Sequence, residues 1–203
     1  CFIGGHPMTG SEKTGILSAT NTLLENAYYI ITPTALTPKK EISEFRDFVL
    51  SLGAIPLILD YKIHDYSTAA ISHLPHMIAY SLVNLVHQID DDKETMKTIA
   101  AGGFKDITRI ASSSPVMWQN ICASNREPLL SLMDQYLALL TKLRGYIDSS
   151  NEQALLSFFQ QAKDYRDSIT LPSVKSPTVY YECFVDLVDE TGGIAAVAGL
   201  LAQ

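Results

Sequence analysis

The sequence predicts an α/β segment that gives way to an all-α segment, followed by a short α+β end. Three observations carry this. Residues 1–60 alternate β-rich runs with an amphipathic helical pattern, and residues 61–170 carry helical periodicity without an intervening strand. A Leu-Pro-Ser-Val-Lys-Ser-Pro stretch at 171–177 then reads as a linker to one strand and one helix at 178–203.

The elements follow in order. Cys1-Phe2-Ile3 reads as an apolar run of a short strand, which puts His6 at its carboxyl end, between a tight glycine turn (Gly4-Gly5) and Pro7. That is where open α/β sheets handle ligands. Ala27 to Ile31 is a second β-rich run, stopped by Thr32-Pro33. Thr37-Pro38 reads as an N-cap with proline at the first helical position. Ile42, Phe45, Val49 and Leu52 then share one face before Gly53 stops the helix. Ile55 to Leu59 is a third strand, with Pro56 suited to an edge or a strand start. From Tyr61 onward, Ile71, Leu74, Ile78, Leu82, Leu85 and Ile89 trace a stripe expected to be buried, and Pro75 within it predicts a kink. Ser114-Pro115 opens another helix. Leu129, Met133, Tyr136, Leu140, Leu143 and Ile147 form a heptad-like seam, serving either its own bundle or a helix-to-helix dimer contact. Thr178 to Asp186 alternates like a strand, and Ile194 to Ala202 reads as a helix. So short a pair cannot bury a core, and is expected to open a small regulatory-type domain. A chain that begins in mid-strand and ends inside a helix is expected to be an internal portion of a longer protein.

Composition narrows the function. With 47% hydrophobic and 18% charged residues the chain has the make-up of a globular protein. A net charge of −7 and the lack of a Lys/Arg cluster speak against a nucleic-acid surface. No apolar run approaches the ~20 residues of a membrane span, and no signal peptide is visible. Cys1, Cys122 and Cys183 are odd in number and lack CxxC spacing, which suggests structural thiols in a reducing cytoplasm.

Three segments carry residue types suited to chemistry. His6 titrates near working pH and suits a general base, against a purely structural role in its turn. In Ser72-His73-Leu74-Pro75-His76, Ser72 and His76 share a helix face, and Pro75 leaves the Ile71 carbonyl without its helical partner. The bland alternative is a hydrogen-bonded core histidine. Arg109, following Gly102-Gly103, can grip a carboxylate bidentately, or else pair with Asp106 on a helix surface. Trp118, the only tryptophan, reads as core on spacing alone. Gly5-x4-Gly10 with Lys13-Thr14 is a poor phosphate loop, because Ser11 and Glu12 intervene. His64-Asp65 resembles half of a metal site whose remaining ligands are not evident, so a His-Asp hydrolase is a lesser alternative.

In sequence order, Gly5-His6-Pro7-Met8-Thr9-Gly10 with Glu12-Lys13 and Gly15, His64-Asp65, Ser72-His73-Leu74-Pro75-His76, and Gly102 to Ala111 with Trp118 resemble the prephenate dehydrogenase family. The resemblance spans residues 1 to about 170 of the chain, three long motifs deep, and Thr178 onward looks like the first strand and helix of an ACT domain. It implies the tail of a Rossmann-like NAD domain at 1–60, a helical substrate-binding and dimerisation domain at 61–170, and an ACT-like opening at 178–203. It further implies NAD⁺ as cofactor, with NADP⁺ not excluded, and oxidative decarboxylation of prephenate, or alternatively arogenate, in tyrosine biosynthesis. His6 would be the proton acceptor and Arg109 the carboxylate anchor. Ser72, His76 and Gly102 would line the pocket, Asp106 would orient Arg109, Trp118 would reach the site across a dimer interface, and Gly5 would touch the cofactor. Implied partners are prephenate, a second copy of the chain, and tyrosine as feedback inhibitor, with no metal, nucleic acid or membrane. A non-catalytic helical dimer module with a ligand-sensing end is the alternative from another class.

Overall fold

The computed structural model describes residues 1–10, 15–16, 19–169 and 192–201. Cys1–Pro172 form one compact unit and Ser173–Gln203 a second. In the first, β1 (Ile3–Pro7), β2 (Tyr28–Pro33) and β3 (Ile55–Ile58) make a mixed sheet in the order β1-β2-β3. β1 runs antiparallel to β2, with His6 opposite Ile30, and β3 runs parallel to β2. A parallel pair needs a crossover, supplied by α1 (Lys39–Ser51). Its apolar face does what the spacing predicts: Val49 is fully buried against Ile31 and Ala54, with Phe45, Tyr29, Leu24 and Ile3 around them. Gly53 ends the helix at φ +77, a conformation open to glycine.

Two local expectations are corrected. Gly4 and Gly5 form no turn but lie inside β1, which leaves His6 at the carboxyl end of that strand, as expected. They are glycines because β2 approaches closely. A Cβ at Gly4 would strike Thr32 Oγ1, and one at Gly5 would sit 2.7 Å from the Tyr29 hydroxyl. Thr37 is also not the helix cap, a place taken by Pro38. Its hydroxyl instead donates to the Phe2 carbonyl at 3.1 Å and accepts from Thr34 N–H at 3.0 Å. That ties the entry of β1 to the start of α1.

The helical part begins where the Asp60 carboxylate accepts from Lys62 N–H at 2.9 Å, capping α2 (Tyr61–Thr68). A π-helical turn, Ala69–His73, carries it on into α3 (Leu74–Ile89). The kink expected at Pro75 takes this form. Proline offers no N–H to the Ile71 carbonyl and its ring crowds that oxygen, and a widened turn relieves both. Residues Tyr61–Ile89 thus make one helix of 29 residues, apolar enough by length and composition (mean hydropathy 1.2) to cross a membrane, which the reading of separate apolar runs did not anticipate. It carries His64, His73 and His76.

α4 (Thr95–Ile99), α5 (Gly102–Thr108), a 3₁₀ turn (Arg109–Ser112), α6 (Pro115–Ser124), α7 (Arg126–Asp148) and α8 (Glu152–Ser168) follow. Ser114 caps α6 as expected, with Pro115 at its first position. The stripe on α3 is not buried within the chain: Ile71, Leu85 and Ile89 are each more than half exposed. Periodicity identified an apolar face but not what covers it. In α7, Leu129 and Leu132 are buried, whereas Leu140 and Ile147 are exposed. In the second unit, α9 (Gly193–Leu201) forms where a helix is expected. The expected linker at 171–177, the expected strand at 178–186 and Cys183 lie outside the described residues.

Candidate active site

The exit of β1, the π-turn and the 3₁₀ turn leading to α6 converge on a cavity of about 560 Å³, lined among others by His6, Thr9, Ser72, His76, Arg109 and Trp118. That is the size of a small-molecule site. Met8 N–H donates to the Tyr28 carbonyl at 2.8 Å, which holds the segment after His6 to the sheet.

The ring nitrogens sort themselves by what each can bond. A carboxylate only accepts, so His64 Nδ1, 2.8 Å from Asp65 Oδ1, carries the proton. Neutral His64 then has a bare Nε2, and His6 Nδ1, 2.8 Å away, must donate to it. His6 Nε2 is left with a lone pair. His76 Nδ1 donates to the Ser72 carbonyl at 2.9 Å, the i, i+4 relation the sequence implies. The Asn125 amide donates to the Asp65 carbonyl at 2.8 Å and to His73 Nδ1 at 3.2 Å.

His6, His73 and His76 are held toward neutrality. His6 titrates below its ordinary 6.5, first because burial disfavours the charged form and then because His64 is close. His73 is lowered by burial and by His6, His76 and His64, with Asp65 opposing. His76 is lowered by burial, the Ser72 carbonyl opposes this, and the Arg109 charge adds to the lowering.

Trp118 is 6% exposed and stacks on His76, with ring centroids 3.7 Å apart and planes at 26°. The ring is buried, as the core reading expects, and is also a wall of the cavity. Trp118 lines the cavity of its own chain. Its buried Nε1–H has no hydrogen-bond partner among the described residues.

Three other candidates do not line the cavity. Gly5 faces Tyr29, which takes up the space its missing side chain leaves. Gly102 is no flexible joint but the first residue of α5, and Asp106 lies in the same helix, three residues before Arg109. Conversely, the sequence reading gave no role to Thr9, Asn125 or the His64-Asp65 pair. The adjacent His-Asp dipeptide was the one visible signal, and it was weighed for a metal. Among the described residues no group of three His, Cys, Asp or Glu is placed to hold an ion.

Comparison with known proteins agrees with this geometry. Residues 1–56 match the nucleotide-binding domain of prephenate dehydrogenase, and residues 60–161 match its dimerization domain. The chain is 38% identical over 201 residues to prephenate dehydrogenase of Bacillus subtilis (99% of this chain, 54% of that protein). It is 36% identical over 200 residues to the Lactococcus lactis enzyme of the same name (98% and 54%). The chain therefore spans about half the length of these relatives. Among solved structures, prephenate dehydrogenase from Aquifex aeolicus in complex with hydroxyphenyl propionate and NAD⁺ superposes with a TM-score of 0.79 at 32% identity, covering 83% of this chain and 59% of that one. Synechocystis arogenate dehydrogenase gives 0.74 at 30% identity, covering 82% and 60%. With both domain families matched in order along the chain, it belongs to the prephenate dehydrogenase family.

Proposed function

We propose that the full-length protein oxidises prephenate with NAD⁺, releasing CO₂ and forming 4-hydroxyphenylpyruvate in the cytoplasm. The carrying observation is the cavity, which joins an unprotonated imidazole nitrogen, a guanidinium and a stacked His76–Trp118 wall from three distant segments. His6 Nε2 takes the proton of the ring hydroxyl while hydride leaves the same carbon. Loss of the ring carboxylate then makes the ring aromatic and drives the step forward. A positioned base of this kind contributes roughly 10²–10⁴-fold. Arg109 grips a substrate carboxylate, a local cation that a chain of net charge −7 needs to hold a dianion. Asp106 orients Arg109 from the preceding turn, and Ser72 and Trp118 line the pocket.

NAD⁺, when bound, supplies the hydride acceptor, and NADP⁺ would do the same chemistry. The residues beside the base fit its nicotinamide end: Met8, Thr9 and Gly10 line the cavity, and a Cβ at Gly10 would meet nothing within 4 Å. Gly5 does not fit a cofactor contact, and no Gly-x-Gly-x-x-Gly lies within the 203 residues. The dimerization-domain match and an apolar groove of about 260 Å³ between α3 and α7 support a homodimer. Residues 178–203 read as the opening of an ACT-like domain, with tyrosine as its effector.

The similarity to an arogenate dehydrogenase supports a second substrate reading. Arogenate differs from prephenate only in carrying an ammonium where prephenate has a keto group. The absorbance of reduced cofactor, followed when the full-length protein meets NAD⁺ with each substrate in turn, decides between them. Turnover of prephenate is expected and turnover of arogenate alone moves the reading to the second. Silence with both, from folded protein that binds NAD⁺, removes the enzyme assignment. Adding tyrosine to the same assay checks the effector.

A further inference from the structure

The geometry points to His64 and Asp65 as positioning residues for the base: Asp65 fixes the tautomer of His64, and His64 fixes His6 with its proton on Nδ1 and its lone pair on Nε2. This rests on the reading of His6 as the proton acceptor. Three observations support it.

The first is that two bonds of 2.8 Å run in series, from His6 Nδ1–H to His64 Nε2 and from His64 Nδ1–H to Asp65 Oδ1. Only one assignment of protons satisfies both while all three groups keep their ordinary charge, because the carboxylate has no proton to give. An imidazole that could choose either tautomer would spend part of its time with Nε2 blocked; here the choice is made two residues away. The rings meet edge to face, with centroids 5.1 Å apart and planes at 75°, so the His6–His64 bond also sets the orientation of the His6 ring.

The second is rigidity. The His64 side chain is 16% exposed, so water competes poorly for its ring nitrogens. Its backbone N–H donates to the Asp60 carbonyl at 2.9 Å within the capped start of α2. The Asp65 carbonyl is gripped by Asn125 at 2.8 Å, which ties this turn to the junction of α6 and α7. A site on a helix with its outer bonds satisfied holds its geometry better than one on a loop.

The third is charge. The groups acting on this cluster are His6, His64, His73 and His76 together with Arg109, all of which disfavour an added proton, and Asp65, which favours one. When the substrate O–H bond breaks and an N–H bond forms at His6 Nε2, the new imidazolium needs a counter-charge. The Asp65 carboxylate supplies it through the polarised His64 ring. The proton stays on His6 until water removes it, and no other reactant is required.

The test uses the full-length enzyme. Asp65→Asn offers an amide that can donate to His64 Nδ1, which flips His64 and then His6, so that the His6 proton moves to Nε2. The expected result is a fall in kcat of about 10²-fold or more, the scale of a lost general base, with KM little changed. In a His6→Asn background the same change should cost nothing further, because the pair acts only through that base. His64→Leu should match Asp65→Asn, and His64→Gln, whose carbonyl can accept from His6 Nδ1–H, should recover part of the loss. Independently of turnover, ¹⁵N spectra of labelled histidine should show His6 protonated at Nδ1 in the wild type and at Nε2 in Asp65→Asn. A His6 tautomer that does not respond to Asp65→Asn, or losses that add in full to those of His6→Asn, would overturn the proposal. Wild-type silence with both substrates would instead overturn the catalytic reading, and the tautomer measurement would still decide the positioning.

Discussion

At the scale of single residues, the site depends on keeping imidazoles neutral beside a fixed positive charge. His6 is partly desolvated and close to His64, and both effects lower its affinity for protons. A base lowered in this way stays unprotonated further into acid. The acidic limb of kcat/KM for the full-length enzyme is therefore expected below 6.5, and a limb above that value would contradict the assigned environment. His6→Asn should lower kcat by roughly 10²–10⁴-fold while leaving substrate affinity largely intact, since the interaction it removes is made as the proton moves. Unchanged turnover would remove His6 from its role. In its proposed role, Arg109 would bind ground state and transition state alike. Losing a hydrogen bond to a charged group costs about 1.5–3 kcal/mol, so Arg109→Ala should raise KM by about 10–150-fold. Lysine at that position should restore only part, lacking the planar fork that meets both carboxylate oxygens.

At the scale of elements, the long helix from Tyr61 to Ile89 shows a local irregularity placed where the chemistry is. The π-turn at Ala69–His73 includes Ser72, and His76 follows in the first turn of α3, where its Nδ1–H takes up the Ser72 carbonyl. Pro75 enforces the irregularity by withholding an N–H from Ile71. Pro75→Ala should let the helix close into a regular α-helix, with no loss in thermal midpoint but a lower kcat/KM, because Ser72 and His76 would rotate relative to His6. A variant with both values unchanged would show that the proline is incidental to the site. The outer faces of α3 and α7 make a different kind of element. Leu85, Leu137 and Leu140 are exposed along an apolar groove that the described residues do not fill. If the proposed dimer forms through this groove, changing Leu137 and Leu140 to Glu should convert it to monomers in sedimentation velocity, and a sedimentation coefficient unaltered by the two charges would place the interface elsewhere.

At the scale of the whole molecule, what the sequence revealed and what it concealed divide along a physical line. His6 and His76 were legible because each adjoins a proline, Ser72 because it shares a helix face with His76, and Arg109 because it follows a glycine pair. Trp118, by contrast, read as core and joined the site only through the family resemblance; the fold brings all five to one cavity. The roles of Gly4 and Gly5 were not legible, because their lack of side chains answers to Thr32 and Tyr29 on the neighbouring strand. The His6–His64 bond joins residues 58 positions apart, and no local pattern encodes it. The same clustering sets how the fold responds to acid. His6, His73 and His76 all titrate below 6.5 in the folded protein, chiefly through burial, with their positive neighbours adding to it. The unfolded chain, whose histidines titrate near 6.5, therefore binds more protons just below that pH. Stability is then fully present above 6.5, declines as pH falls through it, and levels off once the folded-state values are passed. Asp91 acts in a separate window, because its carboxyl is lowered by bonds from Thr95 and its contribution is lost only as pH falls below the ordinary 3.8. The denaturant midpoint of the full-length protein should thus drop between pH 7.5 and 5.5, and His73→Asn should flatten that drop by removing the imidazole with the most like-charged neighbours. A midpoint that holds steady or rises on acidification would mean that the histidines are not packed together as this structure has them.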